Sequence, residues 1–415
     1  MSAPNTVTPM PTLDEFTRDA TAFLSTHLDR RAPEGEFHWG VGSDDVAIFP
    51  DRPHGGGSNQ ELDRARWWQA TKFDNGFGWI DGDPEYGGAG LPAEFAAAFA
   101  KLELGFNAPD QGFFGVALGM VAPTIAAEGS TELRRHYLRG LHRGDILACQ
   151  LFSEPSAGSD LSNVKTTATR DGDHWVVSGQ KVWTSGAQYS DVGLLLAKTE
   201  NDQPQRQALT MFIVDMHADG VEVRPLRQMT GGAHFNEVFL TEVHVPDSHR
   251  IGAEGNGFRV ALTTLMSERA SLGSGPHATL GCIPESQLIA LLKHTGYAHH
   301  PRFRQEAARL IALARVADLT TARLLAEVPA GGVPGPQLSA SKLLRTELLL
   351  RTSNLVTEAL GPAISADTGE WGAYAWTLYV LGVPGIRIAG GTDEILRNTI
   401  AERVLGLPRE ARPTG

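Results

Sequence analysis

The sequence predicts an α+β protein with three successive parts, the first helical, the second β and the third helical. Apolar residues recur at steps of three and four up to about residue 145 and again beyond residue 257, the spacing that lines one face of a helix. Between these parts lie short runs of β-branched and aromatic residues, which are typical of strands. No G-x-G-x-x-G segment follows a strand, so a Rossmann-type dinucleotide-binding fold is not expected. We therefore expect domains at 1–145, 146–250 and 251–415.

The N-terminal part begins with a helix over 12–30, whose apolar residues at steps of three and four indicate one buried face. Residues 40–60 are dense in Gly, Pro, Asp and Asn and predict a loop, with a disordered insertion as an equal alternative. Helical periodicity returns over 61–145. It is interrupted at 81–92, where Pro and Gly residues fix turns and exclude a helix.

The central part is predicted to be a small antiparallel β-domain. Asp171-Gly172 is a hairpin signal between its first two strands. The predicted strands span 164–170, 174–179, 181–186, 193–199, 208–215, 221–226 and 237–246.

The C-terminal part is predicted to be helical, with a Gly/Pro-rich loop at 329–336. The last helix has clear end signals: Thr392 caps it, acidic residues occupy its first turn where the helix dipole favours anions, and Gly406 with Pro408 stops it. The predicted helices span 257–272, 302–327, 338–360 and 393–405.

Composition excludes several classes of protein. The 415 residues include 48 acidic and 36 basic side chains, a net charge of −12, which argues against a general binder of nucleic acids or anionic membranes. Only two cysteines occur, which excludes a disulfide framework and a Cys-rich zinc site. The N-terminus lacks a basic segment followed by an apolar one, and no apolar stretch approaches the ~18 residues of a spanning helix. We expect a soluble, cytoplasmic protein.

A carboxylate stands in the apolar stripe of the helix predicted over 257–272. The stripe, extended by steps of three and four, consists of Phe258, Ala261, Leu262, Leu265, Glu268 and Leu272. Burying a carboxylate without a partner raises its pKa, so such a residue is either paired or tuned for proton transfer. Periodicity alone favours an ion pair with an arginine of a neighbouring helix or a place at the edge of the stripe.

Two other stretches have polar groups that suit a ligand. The run LFSEPSAGSDLSN at 151–163 is rich in small and hydroxyl residues, which let a ligand approach the backbone closely, although an isolated run of this kind is usually a linker. Trp183 lies in a predicted strand, where a tryptophan more often belongs to the core. No H-E-x-x-H, G-x-S-x-G or P-loop motif occurs, and the histidines at 294, 299 and 300 lie in a polar segment where we expect solvent exposure. A metal site is not predicted.

Three stretches together resemble the acyl-CoA dehydrogenase family. They are ACQLFSEPSAGSDLSNVKTTA with DGDHWVVSGQKVWTSGA, then GNGFRVALTTLMSERASLG, and finally AGGTDEILRNTIAERVLGLP. The resemblance extends from about residue 80 to 410 and implies a central β-barrel or sandwich followed by a four-helix bundle. It also implies a non-covalent FAD between these two domains, partly covered by a neighbouring subunit.

The resemblance implies which residues contact the cofactor and the substrate. Those implied for FAD are Gln150, Phe152, Ser153, Ser159, Trp183, Thr184, Ser185, Thr392 and Glu394. Those implied for the acyl-CoA are Ser159, Arg269, near the CoA moiety, and Gly390, whose N–H would bind the thioester oxygen.

The family has its catalytic glutamate at one of two positions. The first, before the Gly-Thr that opens the last helix, is Gly390 in this sequence. The second is the Glu of an E-R pair in the helix after the β-domain, and the matching residue is Glu268. The resemblance therefore implies that Glu268 removes the α-proton of an acyl-CoA while a hydride leaves the β-carbon for flavin N5, giving a 2-enoyl-CoA.

Two departures from the family pattern affect the expected partners. No R-K-x-F-G run follows Gly273, and LGPAI at 360–364 replaces a Gly-rich segment, so the FAD contacts of a neighbouring subunit are not assigned. The family implies an electron-transfer flavoprotein as acceptor, and either a homodimer or homotetramer or a heterotetramer with a paralogous subunit. Two alternatives stay open on the same fold: a non-catalytic subunit of a heterotetramer, and an oxygen-using flavoenzyme.

Overall fold

The structure, a computed structural model, describes residues 10–32, 48, 60–199, 205–273, 285–328, 335–366 and 373–409. The predicted loops at 40–60 and 329–336 lie almost entirely outside these residues. No helix in the described ranges is both long and apolar enough to cross a membrane.

The N-terminal part is helical, as predicted. Thr12 begins the first helix with a reciprocal cap, in which its hydroxyl accepts from Glu15 N (3.3 Å) and Glu15 Oε2 accepts from Thr12 N (2.8 Å). At 81–92 the chain forms turns and one short 3₁₀ turn, Pro84–Tyr86, which confirms that the α-helix is interrupted there. The helices are α1 (Leu13–His27), α2 (Gln60–Asp74), α3 (Ala93–Glu103), α4 (Ala122–Glu128) and α5 (Thr131–Arg143).

A π-helical turn, Ala117–Val121, leads into α4. Its buried Ala117 and Val121 belong to the cluster that joins the N-terminal helices to the β-domain and to the first C-terminal helix. Single π-turns within helices are uncommon and often lie near functional sites. This one contacts the first strand and the helix that bears Glu268.

The central part is a β-domain. Its strands are β1 (Ala148–Leu151), β2 (Thr167–Asp171), β3 (His174–Ser185), β4 (Val192–Thr199), β5 (Leu209–Asp215), β6 (Val221–Leu226), β7 (Phe235–Pro246) and β8 (Arg250–Ile251). They form one sheet with the order β6-β7-β3-β2-β4-β5-β8, while β1 pairs with β4. The predicted hairpin at Asp171-Gly172 is confirmed, because Asp171 pairs with His174 and Gly172 has φ +62°.

Three details of the β-domain differ from the sequence prediction. The runs 174–179 and 181–186 form a single strand, because Gly179 stays in the ladder opposite Leu240. The domain is not purely antiparallel, since β1 and β2 both run parallel to β4. β1 and β8 were not predicted, because runs of four and two residues are too short to show a period.

The C-terminal part is helical. Its described helices are α6 (Gly257–Gly273), α7 (Glu285–His294), α8 (Pro301–Ala326), α9 (Ser339–Leu360), α10 (Ala373–Ile388) and α11 (Asp393–Arg403). The helix α9 contacts α6, α7, α8, α10 and α11. The four predicted helices are confirmed as α6, α8, α9 and α11, but α7 and α10 were missed. The sequence of α10 contains Gly382, Pro384 and Gly385, which normally interrupt helices, so its pattern does not predict a helix. Of the described helices in this part, α6, α8, α9 and α10 are the four longest. The predicted exposure of His294, His299 and His300 is confirmed.

Candidate functional site

Trp183 lies in a bulge of β3. The pairing of β3 with β7 shifts between Lys181 and Thr184, and Trp183 adopts φ +60° at this shift. A left-handed backbone is unfavourable for a bulky residue, costs about 1–3 kcal/mol and is concentrated at functional sites. The indole is 54% exposed and meets Phe235 edge-on at 5.8 Å between ring centroids. The expectation that a strand tryptophan belongs to the core is wrong here.

The two residues after Trp183 point in different directions. Ser185 is exposed, whereas Thr184 is fully buried and pairs with buried Asn236 on β7. Side chains alternate between the two faces of a strand, so Trp183 and Ser185 share the accessible side. A ligand on that side can reach Thr184 only through its backbone.

The SEPSAGSD loop, residues 152–166 between β1 and β2, lies beside the same bulge. Val182 N donates to the carbonyl of Ser153 at 2.9 Å, which joins the loop to β3 directly. Phe152 is buried, Gln150 and Ser153 are half-buried, and Ser159 is exposed. Gly158 has open space where a Cβ would project. The loop therefore offers hydroxyl groups and an accessible backbone next to the indole.

These groups suit a flavin cofactor. The flat apolar surface of a flavin ring stacks well on an exposed indole, and serine hydroxyls with nearby backbone N–H groups bind polar ring edges and phosphates. The exposed indole of Trp183, the hydroxyls of Ser185 and Ser159 and the open backbone at Gly158 supply this donor set. The residues present therefore fit FAD.

Glu268 lies on α6, one helical turn beyond the buried Thr264. Thr264 Oγ1 is 2.9 Å from Thr124 Oγ1 of α4, and a Cβ on Gly257 would meet the backbone of Thr210 at 2.6 Å, so small residues bring α6 close to its neighbours. Within residues 257–268 of this helix, the fully buried side chains are Val260, Ala261 and Thr264, while Phe258, Leu262 and Leu265 are half-buried. The predicted buried face is thus rotated, because the small residues pack closest. Glu268 itself is half-buried.

A turn of two left-handed glycines precedes α11. Gly390 has φ +61° and Gly391 has φ +94°. Lys342 of α9 donates through Nζ to the carbonyls of Ala389 and Gly391, on either side of Gly390. The Gly390 N–H has no acceptor within the described part of the chain. This turn therefore presents the Gly390 N–H as a backbone donor, and the bonds from Lys342 fix the two peptide groups that flank it.

The start of α11 is also fixed. The predicted cap is confirmed, since Thr392 Oγ1 accepts from Ile395 N at 3.2 Å. Asp393 is buried between Arg387 Nε (2.9 Å) and Thr346 Oγ1 (3.0 Å). Glu394 is exposed.

The structure places the predicted residues in two groups. Phe152 and Ser153 lie beside the Trp183 bulge, since their carbonyls accept from Lys181 Nζ and Val182 N. Ser159 lies in the same loop, and Gln150 lies on β1, which contacts β3. Glu268 lies on α6 and the Gly390 turn precedes α11, and both helices contact α9 and the 3₁₀ turn Pro336–Leu338. β1 and α6 meet at the π-turn, which connects the two groups. The side chain of Arg269 lies outside the described residues.

Two charged residues beside the bulge were missed from the sequence. Lys181 and Glu154 are both buried, with Nζ and Oε1 2.8 Å apart. A signal was present, because Trp175, Val177 and Lys181 have the same parity along β3 and Lys181 therefore occupies an inward position. A lysine at such a position needs an internal partner.

Known proteins resemble this chain along most of its length. Residues 56–145, 149–243 and 255–405 match the sequence models of the N-terminal, middle and C-terminal domains of acyl-CoA dehydrogenases. The chain is 36% identical over 407 residues to the acyl-CoA dehydrogenase IpdE1 of Mycobacterium tuberculosis, covering 97% of this chain and 100% of that relative. It is 40% identical over 290 residues to the acyl-CoA dehydrogenase FadE34 of the same organism, which is 69% of this chain but only 39% of that longer relative.

One solved structure adds information about assembly. The ChsE4-ChsE5 complex from Mycobacterium tuberculosis matches with a TM-score of 0.69 and 26% identity, covering 97% of this chain and 100% of that chain. That protein is a complex of two differently named chains.

Proposed function

The chain belongs to the acyl-CoA dehydrogenase family, and we propose that it is an FAD-dependent enzyme that oxidises an acyl-CoA to the 2-enoyl-CoA with Glu268 as the base. The observation that supports this most is the half-buried Glu268 on a helix packed against α9, which also holds the Gly390 turn through Lys342. An acid–base group and a backbone donor thus lie on neighbouring elements.

In this proposal the β-domain holds the cofactor. Trp183 would offer its exposed indole to the flavin ring, and Ser185, Ser153 and Ser159 would donate to polar groups of the cofactor. FAD, when bound, supplies the ring that accepts the hydride from the β-carbon. Thr392 and Glu394, at the start of α11, would also hold the cofactor.

In the same proposal the C-terminal helices bind the thioester and supply the base. Glu268 takes the α-proton, and the Gly390 N–H donates to the thioester oxygen as negative charge develops there. Because Gly390 has φ +61°, the conformation that presents this N–H suits glycine better than any residue with a side chain. Arg269 binds the CoA part of the substrate, and Ser159 contributes from the SEPSAGSD loop.

The substrate class that we propose is a branched or ring-bearing acyl-CoA. Where other family members have a glutamate, Gly390 has no side chain, so the space beside the reacting carbons is wider. The proposed acceptor is an electron-transfer flavoprotein. Because Glu268 and the SEPSAGSD loop are retained, we propose that this chain is a catalytic subunit, alone or with a paralogous partner as in the ChsE4-ChsE5 complex.

The test is anaerobic reduction of the purified protein by a panel of straight, branched and cyclic acyl-CoA thioesters. The protein should be yellow, and a branched or cyclic thioester should bleach it fastest. Glu268→Gln should keep the yellow colour but slow the bleaching by about 10²- to 10⁴-fold, the usual contribution of a general base. Glu254→Gln, a change of the same type in the loop before α6, should bleach like the unaltered protein.

Three outcomes would overturn parts of this proposal. Unchanged bleaching in Glu268→Gln would remove Glu268 as the base. Protein that is colourless until a paralogous subunit is co-expressed would indicate a non-catalytic subunit. Rapid peroxide formation with substrate in air would indicate an oxygen-using flavoenzyme.

A further inference from the structure

We propose that the buried ion pair of Lys181 and Glu154 is a positioning device for FAD, holding the SEPSAGSD loop and the Trp183 bulge in one fixed arrangement. This inference rests on the proposed function for the identity of the cofactor. It concerns two residues that touch neither the substrate nor the reacting atoms in that function.

Lys181 connects three segments from the interior of the β-domain. Its side chain is fully buried, and Nζ donates to Glu154 Oε1 at 2.8 Å, to the carbonyl of Phe152 at 3.1 Å and to the carbonyl of Leu196 at 2.7 Å. An ammonium group has three protons, so each is used. Since Lys181 lies two residues before Trp183, these bonds fix the loop and the start of the bulge together.

Glu154 completes the arrangement by closing the loop. Its Oε2 accepts from Lys165 N at 2.6 Å and its Oε1 accepts from Thr166 N at 2.9 Å, so one carboxylate near the start of the loop binds the backbone at its end. The backbone of Glu154 also exchanges two hydrogen bonds with Ala157, at 2.9 and 3.1 Å. The segment that contains Ser159 is therefore held at both ends by one side chain.

Both members of the pair are charged at neutral pH. Burial lowers the pKa of Lys181 to about 8, and the neighbouring carboxylate limits that shift. Burial alone would raise the pKa of Glu154, but Lys181 and the two backbone N–H groups hold it below its usual value. A buried ion pair adds little net stability compared with apolar residues of similar size, because desolvation offsets the attraction. The pair is therefore more important for fixing the positions of the loop and the Trp183 bulge than for net stability.

A second buried pair provides the comparison that separates positioning from packing. Lys72 of α2 and Glu103 of α3 lie 3.3 Å apart with side chains 10% and 17% exposed, and Glu103 also accepts from Trp68 Nε1 at 2.7 Å. This pair joins two helices of the N-terminal part. These bonds run between α2 and α3, elements separate from the SEPSAGSD loop and from β3.

The experiment compares Lys181→Met with Lys72→Met in the full-length protein. Both changes keep most of the side-chain volume and remove the ammonium group from a buried pair, so both should shift the denaturant midpoint of the apoprotein to a lower concentration. Only Lys181→Met should also weaken FAD binding, by at least 10-fold, and change the visible circular dichroism of the flavin that remains bound. Lys72→Met should leave the Kd for FAD within twofold.

Glu154→Gln keeps the inference testable if Lys181→Met does not fold. The amide preserves the side-chain shape but removes the charge, so FAD affinity should fall less and the flavin signal should still change. Equal FAD affinity and an unchanged flavin signal in a folded Lys181→Met or Glu154→Gln protein would overturn the inference and leave the proposed function intact. Unaltered protein that binds no FAD would overturn the proposed function, and the inference with it.

Discussion

The pairing of β3 with β7 shifts register at two bulges, or bends, and the two bends differ in what they expose. One lies between Val177 and Gly179, opposite Glu242 of β7, and the other lies at Trp183 of β3. Glu242 has φ +52° and Trp183 has φ +60°, and within the described ranges these are the two non-glycine residues with a left-handed backbone. The same backbone device therefore occurs twice in one pair of strands.

The surroundings of the two residues distinguish them. Glu242 has an exposed side chain, and its N–H donates to Ser178 Oγ at 3.1 Å, so its conformation is satisfied locally and suits a charged residue on the surface. Trp183 exposes a large apolar ring beside the SEPSAGSD loop. A strained backbone that exposes an apolar ring has no packing benefit, which favours a role in binding. Backbone strain alone therefore does not indicate a binding site, whereas backbone strain combined with an exposed apolar ring favours one.

The largest expected difference between the bends is in cofactor affinity. Trp183→Gly should weaken FAD binding by about 5- to 150-fold, the range that corresponds to the ~1–3 kcal/mol of stacking a flat ring on an aromatic side chain. The free energy of unfolding of the apoprotein should rise by up to about 2.5 kcal/mol, because glycine relieves ~1–3 kcal/mol of left-handed strain, while the added entropy of the unfolded chain offsets ~0.5–1 kcal/mol of this gain. Fluorescence titration with FAD and denaturant unfolding of the apoprotein measure the two quantities.

Trp67 of α2, which is 49% exposed and distant in sequence, provides the control. Trp67→Ala should leave FAD affinity unchanged. If Trp183→Gly bound FAD as tightly as the unaltered protein, the two bends would be equivalent and the indole would have no part in binding.

The sequence predicts the order of the three parts and most helices, because their apolar period is long and regular. It does not predict α10, because Gly382, Pro384 and Gly385 are typical of a turn. Tertiary packing nevertheless keeps the helix continuous. The sequence also does not reveal the left-handed conformation of Trp183, which arises from the pairing of β3 with a strand about 50 residues away. Local composition contains no information about such a shift in pairing.

The candidate site residues also divide into those that the sequence predicts and those that only the fold brings together. The resemblance provides Glu268 and the SEPSAGSD loop, because their sequence motifs are continuous. The partnership of Lys181 with Glu154 and the support of the Gly390 turn by Lys342 join residues 27 and more than 40 positions apart. These contacts depend on the fold and become visible only in three dimensions.

The second largest expected difference is in the free energy of unfolding. At each bend one side chain hydrogen-bonds to the backbone. Asn236 is buried, and its Nδ2 donates to the carbonyl of Thr184 at 3.1 Å and to Gln188 Oε1 at 2.6 Å. Asn236→Ala should lower the free energy of unfolding by about 1–3 kcal/mol, because it leaves buried acceptors without a donor. It should also weaken FAD binding a few-fold, since the bend next to Trp183 loses its support.

Ser178→Ala is the matched change at the other bend, because it removes the hydroxyl that accepts from Glu242 N. It should cost about 0.5–1.5 kcal/mol and leave FAD affinity unaltered. A loss of FAD affinity in Ser178→Ala as large as in Asn236→Ala would show that the whole ladder supports the site, contrary to the distinction between the bends.

The smallest expected effect is at Glu242. Glu242→Gly relieves a left-handed conformation that costs about 1–2 kcal/mol for a residue with a Cβ. It adds backbone freedom to the unfolded chain, which costs about 0.5–1 kcal/mol. The net result should be a rise of up to about 1.5 kcal/mol in the free energy of unfolding, with FAD affinity unchanged, measured by urea unfolding and FAD titration. A fall in stability would mean that the exposed Glu242 side chain has a stabilising contact that outweighs its backbone strain, and a change in FAD affinity would mean that both bends contribute to the cofactor site.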